Sequence, residues 1–378
     1  MKNQKGKGAI KMKLKIEKAN LVNGVNTVIK AVPAKTTMHI LTCIVIDATE
    51  SKIKLSATDL SLGIETLVEG TIEEKGSIAI DAKTFAEIAK KMPDQEITLD
   101  VDEEKLAVTV KAGKAKFKIA GVKSEDFPGI PMIAADNKVK ISELAFKEGI
   151  RQTIFSIADN ESNKIMTGEN LIVHENELRL ESLDGHRIAV RKVTLKENYP
   201  DMSAVIPGKT LSEVGKILGG DAEKDITLSF DDSSVAFIFD QTKVTSRLID
   251  GEFFKINQLI NGDYETKIKV NRQAYMDCID RSTLMIKEGD RKPLIMDIHP
   301  DSIMNVKMSA AMGSMDEEIE IEGTGKELVI GFNPRFLLDA LRVIDDENVE
   351  LYMTNRKAPV LIKDKDETYT YLILPVNF

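Results

Sequence analysis

The sequence predicts an α+β chain of three similar domains, and three observations predict it. Short runs of alternating or β-branched residues, punctuated by Gly, Asp, Glu and Asn, dominate the chain as antiparallel hairpins require. Six windows instead carry apolar residues at helical spacing. These windows begin near residues 17, 142 and 271 and again near 81, 207 and 333, so a unit of strand, helix, strands, helix, strands recurs at a fixed period. The length of 378 residues agrees, because one core rarely serves more than about 250 to 300 residues.

Taken in order, residues 1–11 ("MKNQKGKGAIK") are polar and aperiodic, the composition of a disordered extension. From Met12, "MKLKIEKANL" opens the first domain as a strand leading into a helix over 17–32. Strands at 39–48 and 51–58 lead to the second helix, 81–92, where Asp81 is a candidate N-cap and Phe85, Ile88, Ala89 and Met92 share one face. Strands at 95–101 and 114–122 finish the unit. The second unit has helices at 142–158 and 207–218, Pro207 marking a start and Leu211, Val214 and Leu218 the buried face, then a strand at 234–240. The third has helices at 271–287 and 333–345, the last with Asn333 as cap, Pro334 at the first position and an apolar stripe from Phe336 to Ile344. "DAKTFAEIAKKM", "PGKTLSEVGKIL" and "NPRFLLDALRVI" fall at one phase of the repeat, as do "SEDFPGI" and "DGEFFKI". The expected domain limits are 12–134, 135–259 and 260–378.

Composition narrows the function. No apolar run approaches the roughly 20 residues of a membrane span, and the N-terminal stretch lacks the apolar core of a signal peptide, so a cytoplasmic protein with no membrane partner is expected. Cys43 and Cys278 form no CxxC pair, and His39, His174, His186 and His299 never fall at ligand spacing with one another; no metal or other cofactor is expected. The net charge of −9 argues against a uniformly basic nucleic-acid surface. The six helical windows nevertheless hold 14 Lys and Arg against 10 Asp and Glu, a balance of +4. Gathered on one face, Lys18, Lys83, Lys90, Arg151, Lys209, Arg335 and their neighbours would meet phosphates without reading sequence.

"LDGHRIAV" (183–190) is the one stretch that suggests a reaction. Asp184 and His186 fall on the same side of a strand, as an orienting acid and a general base require. The same residues also read as a hairpin turn leading into "HRIAVRKV", with His186 and Arg187 satisfied locally. No GxSxG, HExxH, Walker A or dinucleotide motif supports catalysis, so no catalytic residue is assigned.

From about Met12 to Phe378 the chain resembles the bacterial DNA polymerase III β subunits, the replication sliding clamps. The resemblance rests on "MKLKIEKANL", "SATDLSLGIE", "EDFPGIP", "LDGHRIAV", "VIPGKTLSEVGKIL", "SRLIDGEFF", "IGFNPRFLLDALRVI" and "YTYLILPVNF". It implies the DNA clamp fold: three domains of two helices and antiparallel sheets each, and two subunits closing head to tail into a ring with helices inside and sheets outside. The implied function is non-catalytic, a processivity factor that encircles duplex DNA and tethers the replicative polymerase at the fork. Implied partners are a second copy, double-stranded DNA, the polymerase III α subunit or its equivalent, the clamp loader, and repair polymerases and mismatch-repair proteins carrying clamp-binding peptides.

By residue-level match, the resemblance implies a peptide pocket of Met166, Leu183, Gly185, His186, Arg187, Ile188, Phe254, Leu259, Pro359, Val360, Leu374, Pro375 and Val376. His186 and Arg187 would orient the visiting peptide. Leu183 stands where some relatives carry Thr, and Phe254 where Pro is common. DNA contacts are implied for Lys35, Lys83, Asn160 and Lys164, and a dimer interface for Phe117, Ile119, Leu284 and Met285. Two other readings stay open on the residues alone: a repeat-built scaffold without DNA, and a hydrolase using His186 and Asp184.

Overall fold

The computed structural model describes residues 11–131, 133, 137–159, 163–287, 292–300 and 302–378. Its helices are α1 (Lys18–Val28), α2 (Ala82–Lys91), α3 (Glu143–Thr153), α4 (Gly208–Ile217), α5 (Asn257–Ile260), α6 (Arg272–Thr283) and α7 (Pro334–Val343). Six answer the expected windows; α5, a single turn, carries no periodic signal in the sequence. The expected windows 17–32 and 142–158 overrun because α1 and α3 tighten into 3-10 turns at Ile29–Ala31 and Ile154–Ser156. The expected strand 39–48 is likewise shorter, Cys43–Asp47, after a 3-10 turn at His39–Thr42.

Local chemistry accounts for the helix ends. Asp81 accepts the Thr84 N–H at 2.9 Å, Asn271 that of Ala274 at 3.0 Å and Asn333 that of Arg335 at 3.0 Å, each satisfying a donor that the first turn leaves without an intrahelical acceptor. Pro334 fits the first turn of α7, whereas Pro207 ends the strand Arg187–Pro207 and precedes α4. Lys90 and Lys91 sit in the last turn of α2, facing the negative end of its dipole. The helices pack in the pairs α1 with α2, α3 with α4 and α6 with α7, one pair per repeat.

The chain forms two compact units. The first holds the described residues up to Lys140 together with Asp225–Arg247. It contains a five-stranded sheet, with Glu96–Asp102 at its centre, Lys11–Glu17 beside it and Ala115–Ala120 at one edge. Lys11, the last residue of the expected extension, pairs with Asp102 as part of the strand Lys11–Glu17; the rest of the expected extension lies outside the described residues. An eight-stranded sheet continues from the first repeat into the second where Leu62–Val68 pairs with Thr242–Arg247. The second unit holds Ile141–Lys224 and Leu248–Phe378, and its ten-stranded sheet crosses from the second repeat into the third where Arg187–Pro207 pairs with Tyr369–Ile373. Both junction pairs are antiparallel, and among the described residues no helix is long and apolar enough to cross a membrane.

The repeats differ in their cores. Among the described residues, the buried polar side chains of the first and third carry only hydroxyls and thiols, whereas the second buries Glu143, Glu169 and Glu181. Glu169 is fully enclosed: the Thr153 hydroxyl donates to one carboxylate oxygen and the other finds no partner among the described residues. Burial pushes this carboxyl up to about 8 against the weaker opposing pull of Thr153, so it is held neutral.

Candidate peptide pocket and DNA-facing residues

The turn at Asp184–His186 is built by its own first side chain. One Asp184 carboxylate oxygen accepts the His186 N–H at 2.9 Å and the Arg187 N–H at 3.2 Å, while the Asp184 N–H donates to the Arg187 carbonyl. Gly185 supplies the φ of +89° that this turn requires, a region L side chains rarely adopt. The Leu374 N–H then donates to the His186 carbonyl at 2.9 Å, tying the C-terminal segment to the turn.

This turn is one wall of a cavity of about 310 Å³. Ten of the thirteen expected pocket residues line it: Met166, Leu183, Gly185, His186, Arg187, Ile188, Phe254, Leu259, Pro359 and Leu374. Lys255, Ile256 and Leu372 also line it and escaped the sequence reading. Two of them carried a signal, since Leu372 and Ile256 lie two residues from Leu374 and Phe254, the side-chain period of extended chain. Three expected residues stand outside the lining. Val360 is 1% exposed and points into the third-repeat core, Pro375 is half-buried beyond the cavity, and the Val376 N–H donates to the Gly331 carbonyl at 2.8 Å, carrying the tail away along that strand.

Chemically the cavity is a greasy slot with polar edges. Phe254, Leu259 and Leu374 are 42%, 51% and 39% exposed, an apolar patch at one mouth that water solvates poorly. Size and lining suit two or three apolar side chains steered by a few polar groups.

The acid–base pair is not formed. Asp184 engages backbone amides and the Arg187 Nε at 2.8 Å, and the His186 ring stacks on Phe336, with centroids 6.2 Å apart. Arg187 is 9% exposed and its three nitrogens donate to Asp184, to Asp339 of α7 at 2.6 Å and to the Phe155 carbonyl at 2.7 Å. Its guanidinium lies over the Phe336 ring at 4.3 Å. Burial works against its charge but is outweighed by Tyr371, Asp339 and Asp184, which together raise its affinity for the proton. In the sequence, Phe336 and Asp339 show only as residues of the helix expected over 333–345.

Lys35, Lys83 and Lys164 are all exposed, on the segment after α1, on the first turn of α2 and at the head of the 3-10 turn Lys164–Thr167; Asn160 lies outside the described residues. Several other helix cations are engaged within the fold. Arg272 donates to the Asp346 and Leu341 carbonyls, Arg281 pairs with Glu317, and Arg151 bridges Glu148 and Asp345. Phe117 is 42% exposed and Ile119 half-buried on the edge strand Ala115–Ala120, while Leu284 is 68% exposed and Met285 half-buried just after α6. Among the described residues no cluster of three potential metal ligands occurs.

Comparison with known proteins follows the repeat. Family models of the DNA polymerase III beta subunit match in sequence: the N-terminal domain over residues 12–131, the central domain over 140–255 and the C-terminal domain over 257–377. The beta sliding clamp of Staphylococcus aureus is 30% identical over 376 residues, covering 97% of this chain and 99% of that protein. A crystal structure of a putative DNA polymerase III beta subunit from Eubacterium rectale is 51% identical with a TM-score of 0.93, covering 97% and 99% of the two chains. The DNA polymerase sliding clamp of Bacillus subtilis is 33% identical with a TM-score of 0.92, again covering 97% and 99%. The sliding clamp of Pseudomonas aeruginosa, solved bound to griselimycin, shares the fold at 22% identity, with a TM-score of 0.90 and coverage of 97% and 100%. With three consecutive domain matches and near-complete coverage by its relatives, the chain belongs to the DNA polymerase III beta subunit family, the β sliding clamps.

Proposed function

We propose that this chain is a non-catalytic replication processivity factor. It closes head to tail with a second copy into a ring around duplex DNA and tethers polymerase, clamp loader and repair proteins through the pocket beside Gly185. The proposed domains are 12–134, 135–259 and 260–378, and the proposed place of action is the replication fork in the cytoplasm. Lys35, Lys83, Lys164 and Asn160 are the proposed DNA contacts, loose enough to let the ring slide.

The observation that carries this reading is an open junction. Two repeat-to-repeat junctions are closed within the chain by antiparallel strand pairs, with Val244 opposite Ile64 and Tyr371 opposite Ala189. The equivalent strand of the first repeat, Ala115–Ala120, has a neighbour on one side only among the described residues. In the third repeat the equivalent of Leu62–Val68 is the first part of Gly313–Thr324, which pairs with Ile303–Ala310 on one side and has no strand on its other edge among the described residues. Phe117 occupies the position of Val244 in its hairpin, and Met315 that of Ile64. Closure therefore sets Phe117 against the partner's Met315, beside Leu284 and Met285, and Lys116 against the partner's Asp316. The basic edge (Lys114, Lys116, Lys118) meets an acidic one (Asp316, Glu318, Glu320).

The test is topological. Loaded with a clamp loader and ATP, the protein should stay on nicked circular DNA and be released when the circle is linearised; equal retention on linear DNA refutes encirclement. Reversing Lys116 and Lys118 to Glu should lower the apparent mass in light scattering, and adding Asp316→Lys and Glu318→Lys should restore it.

A further inference from the structure

We infer that Arg187 does not read the bound peptide by charge: with Asp339 it forms a positioning pair that anchors the turn forming one pocket wall to α7, so the pocket selects its peptide by apolar shape. The inference rests on the peptide-pocket reading given above.

A guanidinium that reads a carboxylate needs a free edge at the site. Here Nε, Nη1 and Nη2 each already have an acceptor, namely Asp184, Asp339 and the Phe155 carbonyl, so three of the five N–H donors are engaged and every nitrogen is tied to the fold. One face of the group lies on Phe336 at 4.3 Å and Phe155 lies 5.4 Å away. The acceptors belong to three separate elements: the turn before Arg187, the 3-10 turn after α3, and α7. Phe336 is itself fixed, because the Tyr371 hydroxyl donates to its carbonyl at 2.9 Å and the His186 ring stacks against it. Arg187 thus ties the turn that forms one pocket wall to a helix of the third repeat, next to the strand pair that joins the second and third repeats. The other cation at the rim, Lys255, is exposed and 3.5 Å from Glu252, too loosely held to fix a direction.

The test uses the full-length protein and two labelled five-residue peptides ending in Leu-Phe, one with Asp at its centre and one with Asn, followed by fluorescence polarisation. Both peptides should bind the wild type within about twofold of each other. Asp339→Asn should weaken both equally, by about tenfold or more, as expected when a wall of a packed site loosens. Asp339→Glu should recover most of the loss, and Arg187→Gln with Asp339→Asn should lose no more than either change alone. Arg187→Lys, which keeps the charge but not the fork, should behave as Asp339→Asn does. Circular dichroism and an unchanged elution volume separate a loosened pocket from an unfolded chain. A peptide Asp that is worth tenfold in the wild type and nothing in Arg187→Gln overturns the inference, as does an Asp339→Asn variant that binds normally. If the wild type binds neither peptide, the pocket reading itself falls and the inference with it.

Discussion

The turn at Asp184–His186 has a counterpart at Asp59–Ser61, and the pair shows what makes a site. In both, an Asp carboxylate accepts two following amide N–H groups, from Ser61 at 3.0 Å and Leu62 at 2.7 Å in the first, from His186 and Arg187 in the second. In both, the Asp N–H returns to the carbonyl three residues on. Each turn abuts the strand that closes a repeat junction. Yet the cavity is about 310 Å³ beside Gly185 and about 50 Å³ beside Leu60. The smaller one is filled by the connecting segment, whose Ile130 side chain packs so closely on Gly63 that a Cβ there would meet it at 2.8 Å. In the second turn the position of Gly63 is taken by Ile188, and the connecting segment offers Phe254 and Leu259 at the rim instead of a plug. The fold supplies the socket at each junction; the linker decides whether it stays open.

The two junctions also differ underneath, where the largest effect is expected. Ser182 donates to the Thr153 carbonyl and Thr153 to Glu169, whereas the residue matching Ser182 in the first repeat is Ala57. Glu169 titrates near 8 when folded against 4.5 as its ordinary value, so between those limits the folded state holds the extra proton. Stability therefore falls as pH rises from about 4.5 to about 8 and is flat beyond, a loss of up to about 5 kcal/mol. Denaturant midpoints of Glu169→Gln should lose this slope and exceed wild type at pH 9; parallel curves would remove Glu169 from the account.

Deleting Leu374–Phe378 should weaken peptide binding by about a hundredfold or more in polarisation assays, since it removes one mouth of the open cavity, while the mass in light scattering stays that of the wild type. Gly63→Ala should cost about 1–3 kcal/mol by driving a methyl into Ile130, with no change in peptide affinity. Smallest is an exchange at the turns themselves. Leu60 holds a φ of +76° while 48% exposed, where its counterpart is Gly185. Leu60→Gly should stabilise, and Gly185→Ala destabilise, each by about 1 kcal/mol in thermal unfolding.

The repeat was legible because both of its signals are local: Asp81, Asn333 and Pro334 mark helix starts, and the stripe from Phe85 to Met92 marks a face. The pocket was legible only through the resemblance. Nothing in composition joins Met166 to Pro359, and Arg187 meets Asp339 across 152 positions, so no spacing rule announces the pair. Val360 faces the core for a related reason: its side of the strand follows from pairing with Ile373, a long-range register that sequence does not display.

Among the described residues, Ala115–Ala120 and the first part of Gly313–Thr324 each present an uncovered sheet edge. Sheet edges are templates that pair indiscriminately through their backbones. Here one edge bears lysines and the other carboxylates, so two copies that meet by the same edge repel one another and those that meet by unlike edges attract. The chain thus has a built-in polarity that steers assembly away from dimers joined through like edges. This discrimination is electrostatic, and it fades as the screening length shrinks to about 3 Å near molar salt. In concentrated brine an orphaned protomer would keep its adhesive edges but lose the rule that tells them apart.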